Sequence, residues 1–459
     1  MRPEIVYSPV DDIKEAQKEL ENKLKELKLS RFEPNFMLLF FTDGTYKNYR
    51  KFAELFRKYY PDVQMMGCFI EGYAVEDEIW TRGIVALLAE FDGEVKVFVE
   101  RGNDLKEVCR RLGKKARDEW DAMLIMFPVF YFSSVFSFGR AMYNDRIYSR
   151  RYRNAKTIEE KKEVLKRYSN YLEKNFIFPI DRVLKYLSES TGGKFPIIGM
   201  NLMPMEAKVG TPVILVNYEE VGRGIAAICF KGKVNAVYHD IYPERGSSYE
   251  ETVNIIKSYF SDAEEVDVVK AGIAIGEING KPPVEFLRER LEAYREMSEE
   301  EFLKKLEEGR FETVSPYMLA LINEQNFSTT FLGIVNSPVK IFPSPFYLDL
   351  FSDRMFFVGE AFRGGPKKFI EVIELRKFEG FDLILLDMDM IPAFGGNVYK
   401  IMNYVEGLQK LVIFTTTPSI YTNSDRKLMT EIEKNIHFTT SGSNALLEFE
   451  KTQKSHKNN

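Results

Sequence analysis

One recurrence constrains this chain more than any other feature: a strand, a helix and a second strand carrying a glycine, met twice within the first 243 residues. In the first copy FMLLFF at Phe36–Phe41 reads as a fully buried strand, followed by the turn-rich TDGT and a helix through Tyr49–Tyr60 that Pro61 stops. VQMMGC then forms a strand ending at Gly67, and a turn rich in Gly and acid leads to GIVALLAEF and VKVFVE. The Asp92-Gly93 turn predicts that these last two strands form a hairpin. In the second copy AMLIMF at Ala122–Phe127 is the first strand and Asp181–Ser188 the helix. PIIGMN repeats the strand-then-glycine, and TPVILVNY, GRGIAAICFKG and KVNAVYHDI follow. Residues 36–100 and 121–243 therefore read as two copies of one α/β unit, each too small to stand alone, with their sheets packed together.

The expected architecture is α/β, with mixed sheets flanked by helices and a further α/β domain after the repeat. Residues 1–34 hold an amphipathic helix, with Ile13, Ala16, Leu20, Leu24 and Leu27 on one face. Residues 35–245 hold the repeat, 246–450 the C-terminal α/β domain, and 451–459 a tail expected to be disordered. The second copy carries an insertion at 139–175 with 11 Lys or Arg against 5 Asp or Glu, together with Tyr143, Tyr148, Tyr152, Tyr168 and Tyr171. Thr157 and Glu160 give its second helix a capping box. Two readings of the insertion stand: a solvated two-helix arm packed on its host, or a surface for a partner or for single-stranded nucleic acid.

Several functional classes are disfavoured. With 64 basic and 69 acidic side chains the net charge is −5, so no global field draws nucleic acid or an anionic membrane. The first residues lack the pattern of a signal peptide, and no apolar run reaches the roughly 20 residues needed to span a bilayer. Cys68, Cys109 and Cys229 lie far apart, which fits a reducing, cytoplasmic setting and gives neither a disulfide framework nor a zinc site. His239, His437 and His456 are equally scattered, so neither a metal nor a cofactor is expected.

Four segments carry candidate chemistry. Asp387 and Asp389 follow the run LILL at Leu383–Leu386 as an Asp-x-Asp, the placement of nucleophile and acid in haloacid dehalogenase-type, magnesium-dependent phosphatases. Against that reading, Ile391 replaces the usual Thr or Val and no later acidic pair supplies magnesium ligands, so a polar strand end is favoured. Arg363-Gly364-Gly365-Pro366-Lys367-Lys368 precedes a helix and suits an anion, without Walker spacing; a strand-to-helix turn with solvated lysines is the plainer reading. Gly67, Cys68, Glu71 and Gly72 form a turn where backbone can approach a ligand closely; Cys68, near Met66 and Phe69, reads as a packing thiol. Arg223, between Gly222 and Gly224, faces either a carboxylate in a cleft or solvent at a bend.

These same segments resemble the FIST family (F-box and intracellular signal transduction proteins) over roughly residues 35–450. Gly67-Cys68-Phe69-Ile70-Glu71-Gly72-Tyr73 looks like the family's Gly-Cys-Ser-Thr-x-Gly-Glu turn, PIIGMNLMP at Pro196–Pro204 like its second glycine strand end, and VNYEEVGRGIAAICFKG like the hairpin after it. EINGKPPVEFLRERL, FLGIVNSPVKIFP, FFVGEAFRGG and ALLEF are similar to the family's C-terminal pattern, FIST C. Phe69-Ile70 stand where the family has Ser-Thr, LLDMDMI lacks its Cys and Arg, and Pro418-Ser419 replace its Gly-Glu. The resemblance implies a sensory module, not an enzyme, that binds a small molecule such as an amino acid and signals through a separate protein. The ligand contacts expected on this basis are Gly67, Cys68, Glu71, Gly72, Asn201, Arg223, Arg363 and Asp387. A scaffold without a ligand, its cleft closed by Phe69 and Ile70, is the alternative, ahead of the phosphatase centred on Asp387 and Asp389.

Overall fold

The computed structural model describes residues 1–290, apart from 76–77, 118, 203–208, 241–245 and 260–262. Beyond 290 it describes 295–298, 301, 318–322, 327, 329–332, 354–358, 380–387, 410–415, 418–421, 436–438 and 443–450. From the amino terminus come β1 (Arg2–Ser8), α1 (Ile13–Leu29), β2 (Phe36–Phe41), α2 (Tyr49–Tyr59), β3 (Gln64–Phe69), β4 (Gly72–Val75), β5 (Glu78–Trp80), β6 (Ile84–Glu90) and β7 (Glu94–Arg101). There follow α3 (Leu105–Lys115), β8 (Ala122–Pro128), α4 (Val135–Asn154), α5 (Ile158–Asn175), α6 (Ile180–Thr191), β9 (Ile197–Leu202), β10 (Ile214–Val216), β11 (Glu219–Glu220), β12 (Gly224–Lys231) and β13 (Val234–Asp240). Next are α7 (Tyr249–Tyr259), β14 (Ala263–Val266), β15 (Val268–Ala271), β16 (Ala274–Ile278), α8 (Pro283–Arg290), β17 (Met318–Ile322), β18 (Thr329–Leu332) and β19 (Arg354–Val358). The last strands are β20 (Gly380–Asp387), β21 (Lys410–Thr415), β22 (Pro418–Tyr421), β23 (Ile436–Phe438) and β24 (Ser443–Glu450).

Three six-stranded sheets share one strand order: β1-β6-β2-β3-β10-β11, β7-β12-β8-β9-β22-β23 and β13-β24-β20-β21-β4-β5. Each has a parallel pair at its centre (β2–β3, β8–β9, β20–β21), two antiparallel strands on one side and an antiparallel hairpin on the other. The hairpin never stays with the unit that encodes it. β4–β5 follows β3 yet joins the third sheet, β10–β11 follows β9 yet joins the first, and β22–β23 follows β21 yet joins the second. The α/β class and the paired N-terminal units are as expected; a third copy of the plan, built from β13, β20, β21 and β24 with the hairpin β22–β23, was not foreseen.

The exchange corrects the hairpin expected at Asp92-Gly93. β6 pairs with β1 through seven residues, while β7 crosses to the second sheet and pairs with β12. The physical reason is that β1 occupies the edge of β6 that β7 would need. The crossing turn packs against the equivalent one between β12 and β13: a Cβ on Gly93 would lie 2.1 Å from the Lys231 carbonyl oxygen.

The inner faces of the three sheets form one core. Phe36, Phe230 and Phe449 meet there with ring centroids 5.2, 5.3 and 5.8 Å apart, and Phe91 joins them. The outer face of the first sheet is covered by α1 and α2, and that of the second by α3 and α6. Strands covered on both faces read as unbroken apolar runs, which is why FMLLFF and AMLIMF are buried throughout. Local signals place the helices. Asp12 caps α1 by accepting from the Lys14 and Glu15 amides, the Thr157–Glu160 box opens α5, and Gly192 ends α6 in the left-handed region at φ 69°.

The insertion is a helix pair whose second member, α5, seats on the β15–β16 hairpin. Lys162 pairs with Glu277 at 2.8 Å, and the Ser169 hydroxyl donates to the Ala271 carbonyl at 3.1 Å. The arm thus joins the N-terminal sheets to the segment that follows them. β14, β19, β17 and β18 form a separate four-stranded antiparallel sheet.

Candidate functional site

Most of the expected ligand contacts gather at one end of the shared core. Phe230 lies opposite Ala122 and Phe449 opposite Phe381, so the ring cluster marks the amino ends of the three parallel pairs. The carboxyl ends therefore lie away from it, and there stand Gly67, Cys68, Asn201 and Asp387 at the ends of β3, β9 and β20, with Glu71 and Gly72 leading into β4. Gly67 is a packing requirement: a Cβ there would meet the Leu39 carbonyl oxygen at 2.2 Å. Gly199 stands in the same relation to the Ile125 carbonyl oxygen, also at 2.2 Å, so the two copies share one close approach. Cys68 is fully buried, and burial, then the charge of Glu71, pushes its thiol up. Asn201 is buried opposite Phe127, and Asp387 closes β20 opposite Thr415. Arg363 and Asp389 lie outside the described residues, as does the tail 451–459.

Tyr73, from the hairpin donated by the first unit, lies at the same end, opposite Ile413. It is fully buried and its hydroxyl has no partner among the described residues. An orphaned buried hydroxyl costs about 1–3 kcal/mol.

Arg223 faces chain, not an open cleft. Its guanidinium donates to the carbonyls of Asn175 at 2.5 Å and Glu173 at 3.3 Å and to Asn103 Oδ1 at 3.1 Å, over the Phe178 ring. Burial brings its pKa down to about 10. These carbonyls end α5, so Arg223 closes the carboxyl terminus of the arm's inner helix.

A second candidate place is a cleft of about 320 Å³ between α2 and the donated hairpin β10–β11. Asn217 and Tyr218 both take positive φ, 47° and 70°, the requirement of a two-residue turn. Asn217 Oδ1 accepts from the Met65 amide at 3.0 Å and the Tyr218 hydroxyl donates to the Tyr60 carbonyl at 2.6 Å, which fixes the hairpin against the first unit. The wall includes Tyr49, Arg50, Glu54, Arg57, Tyr218, Glu219 and Glu220. Tyr49 donates a short hydrogen bond to Glu220, and Arg50 pairs with the same carboxylate at 2.6 Å. Burial, then the Glu220 carboxylate, raises the Tyr49 pKa. Arg57, Glu54 and Glu219 make no ion pair among the described residues, leaving one cation and two anions facing a shared space.

None of the residues expected from sequence lines this cleft. Its signal was present in YRKFAELFRKYY, where Arg50, Glu54 and Arg57 recur at helical spacing on one face, and in the Glu-Glu after Asn217-Tyr218. That the two segments face each other is a product of the hairpin exchange.

The architecture defines an α/β module of repeated, interlocked units, and comparison with known proteins places it. Residues 35–243 match the FIST N domain, and residues 250–363 match the AF0772-like protein C-terminal domain, in the region expected to resemble FIST C. A protein of Archaeoglobus fulgidus, described as uncharacterized, is 30% identical over 378 residues, covering 82% of this chain and 99% of the relative. The chain belongs to the FIST family. FIST domains are sensory domains and are not typically enzymes. Among the described residues no helix is long and apolar enough to cross a membrane.

Proposed function

We propose that the protein is an intracellular sensory module that binds a small zwitterion of the amino-acid kind between α2 and β10–β11 and signals through a separate protein. The observation that carries this reading is the cleft itself, lined by Arg57, Glu54 and Glu219, which make no ion pair among the described residues. A carboxylate and an ammonium on one small molecule complement that set, and the guanidinium fork suits the carboxylate. Because α2 belongs to the first unit and the hairpin is encoded by the second, an occupant bridges the two. The three buried cysteines are in keeping with a reducing compartment.

A thermal-shift series with amino acids and organic acids tests this. A ligand at about 100 times its Kd adds about 2.7 kcal/mol. One compound class is expected to raise Tm in wild type and to lose that effect in Arg57→Ala and Glu219→Ala. A shift retained in both variants, or none with any compound, ends the reading.

The orphaned Tyr73 hydroxyl supports a second reading, in which the ligand reaches the carboxyl ends of the parallel pairs. Gly67, Cys68, Glu71, Gly72, Asn201, Arg363 and Asp387 then remain the proposed contacts, and Arg223 stays with the end of α5. A ligand-induced shift that survives Arg57→Ala and is lost in Tyr73→Phe selects this place over the cleft.

A further inference from the structure

The structure separates the tyrosines of the insertion into two groups. Tyr148 stacks on Tyr168 at 4.8 Å, Tyr168 stacks on Tyr171 and donates to Asp145 at 2.6 Å, and Tyr152 is buried. These four rings hold α4 to α5, and only Tyr143 points outward. The buried residues of α4, namely Ala141, Asp145, Ser149 and Tyr152, define its inner face. At 100° per residue, Phe136, Tyr143 and Arg150 fall along the middle of the opposite face, with Arg140 and Arg151 on one flank and Arg146 and Arg153 on the other. Phe136 is 81% exposed and Tyr143 67%. With Val135 they make up three of the five exposed large hydrophobic side chains found among the described residues.

The charge on this face is all of one sign. α4 carries five arginines and a single acid, Asp145, which is buried against Tyr168. Arg146 and Arg150 have no ion pair or hydrogen bond among the described residues. Seating α5 on β15–β16 fixes the arm, so the surface is formed before anything binds and little ordering entropy is lost on contact.

We propose that the outer face of α4 binds single-stranded nucleic acid, with Phe136 and Tyr143 as stacking platforms and Arg146 and Arg150 on phosphates. The two rings are two helical turns apart, roughly 10 Å, with Arg146 beside the line between them and Arg150 continuing it, while Arg140 and Arg151 lie over Tyr171 and Tyr148. Exposed rings stack on any base, and arginine forks match phosphate oxygens. A membrane surface fits less well, because interfacial helices bury a continuous apolar stripe, and here Arg150 continues the line that Phe136 and Tyr143 begin. The chain's net charge of −5 does not oppose this, since binding to a strand responds to the local patch within a Debye length of about 10 Å.

The test uses the full chain and a fluorescein-labelled oligothymidylate of about 15 nucleotides, read by anisotropy between about 50 and about 200 mM salt. Binding is expected, weakening with salt by about 0.7 in the logarithmic slope for each phosphate neutralised. Replacing both Phe136 and Tyr143 by Ala should weaken it by about tenfold or more, and Arg146→Ala with Arg150→Ala should lower the slope by about 1.4. All four side chains are outside the core, so unchanged circular dichroism and Tm accompany these losses. The proposal is overturned by no binding at the lowest salt, or by binding indifferent to both double variants. Co-sedimentation with phosphatidylserine vesicles while the oligonucleotide stays free would overturn it in favour of a lipid surface.

Discussion

In the first sheet the parallel strands β2 and β3 are joined by a short link whose α-helix is α2, while in the second the link from β8 to β9 carries α4, α5 and α6. Everything else about the two sheets corresponds: strand order, the glycine pressed on a facing carbonyl, and a hairpin supplied by another unit. The short link leaves a charged cleft beside its donated hairpin. The long one packs α6 on β22 and β23 and sends the surplus chain out as an arm. The comparison teaches that the shared backbone plan answers to the core, while the connections between its strands supply the surfaces that can differ in role.

The largest expected effect tests whether the third sheet belongs to the same plan. Phe449→Ala removes a ring that touches Phe36, Phe91 and Phe230, one contact set for three sheets. A loss of about 4 kcal/mol is expected, read as a single shifted transition in chemical denaturation. A separate early transition, with the first two sheets intact, would break the comparison.

The equivalence of the copies is sharpened by Gly67→Ala and Gly199→Ala. Each places a methyl 2.2 Å from a carbonyl oxygen across a parallel pair. Both should lose about 3 kcal/mol and agree with each other more closely than with any other glycine. A mild effect at one of them would show that its strand can shift, and the copies would not be equivalent.

Arg223 belongs to the second unit alone and holds the arm. Arg223→Ala is expected to cost about 2 kcal/mol and to speed amide exchange at the end of α5. Lysine should not rescue it, because a single ammonium cannot span Asn103, Glu173 and Asn175.

The smallest effect concerns the first unit. Hydrogen bonds from Lys58 at 2.9 Å and Tyr59 at 3.0 Å hold the Glu21 carboxyl down at about 2, from an ordinary 4.5. A depressed carboxyl stabilises the fold above its unfolded pKa and loses that contribution as pH falls towards the folded one. The Tm difference between wild type and Glu21→Gln should therefore be complete at neutral pH, shrink below about 4.5 and vanish near 2. A difference independent of pH would assign the contact to packing.

Much of the fold was legible because its signals are local. Apolar runs gave the strands, Thr157 and Glu160 a helix start, and the strand-then-glycine recurrence the first two units. The third copy escaped notice because its glycine has no counterpart: Val412 stands opposite Ile384 in the parallel pair. The site was legible in pieces. Arg50, Glu54 and Arg57 are spaced for one helix face, yet nothing in that stretch shows that Glu219 and Glu220, some 160 residues on, stand across from them.

The chain by itself determined which segments become strands and helices, that both faces of the central strands are covered, and that a basic arm interrupts the second unit. These follow from side-chain volume, periodicity and capping, which act over a few residues. Only the tertiary structure decided which strand lies beside which. Asp92-Gly93 is a good hairpin turn, but β6 has one free edge and β1 fills it, so β7 crosses to another sheet. Strand edges accept any strand of suitable register. The choice among them was made by the burial of three inner faces in a single core, a quantity no single segment carries.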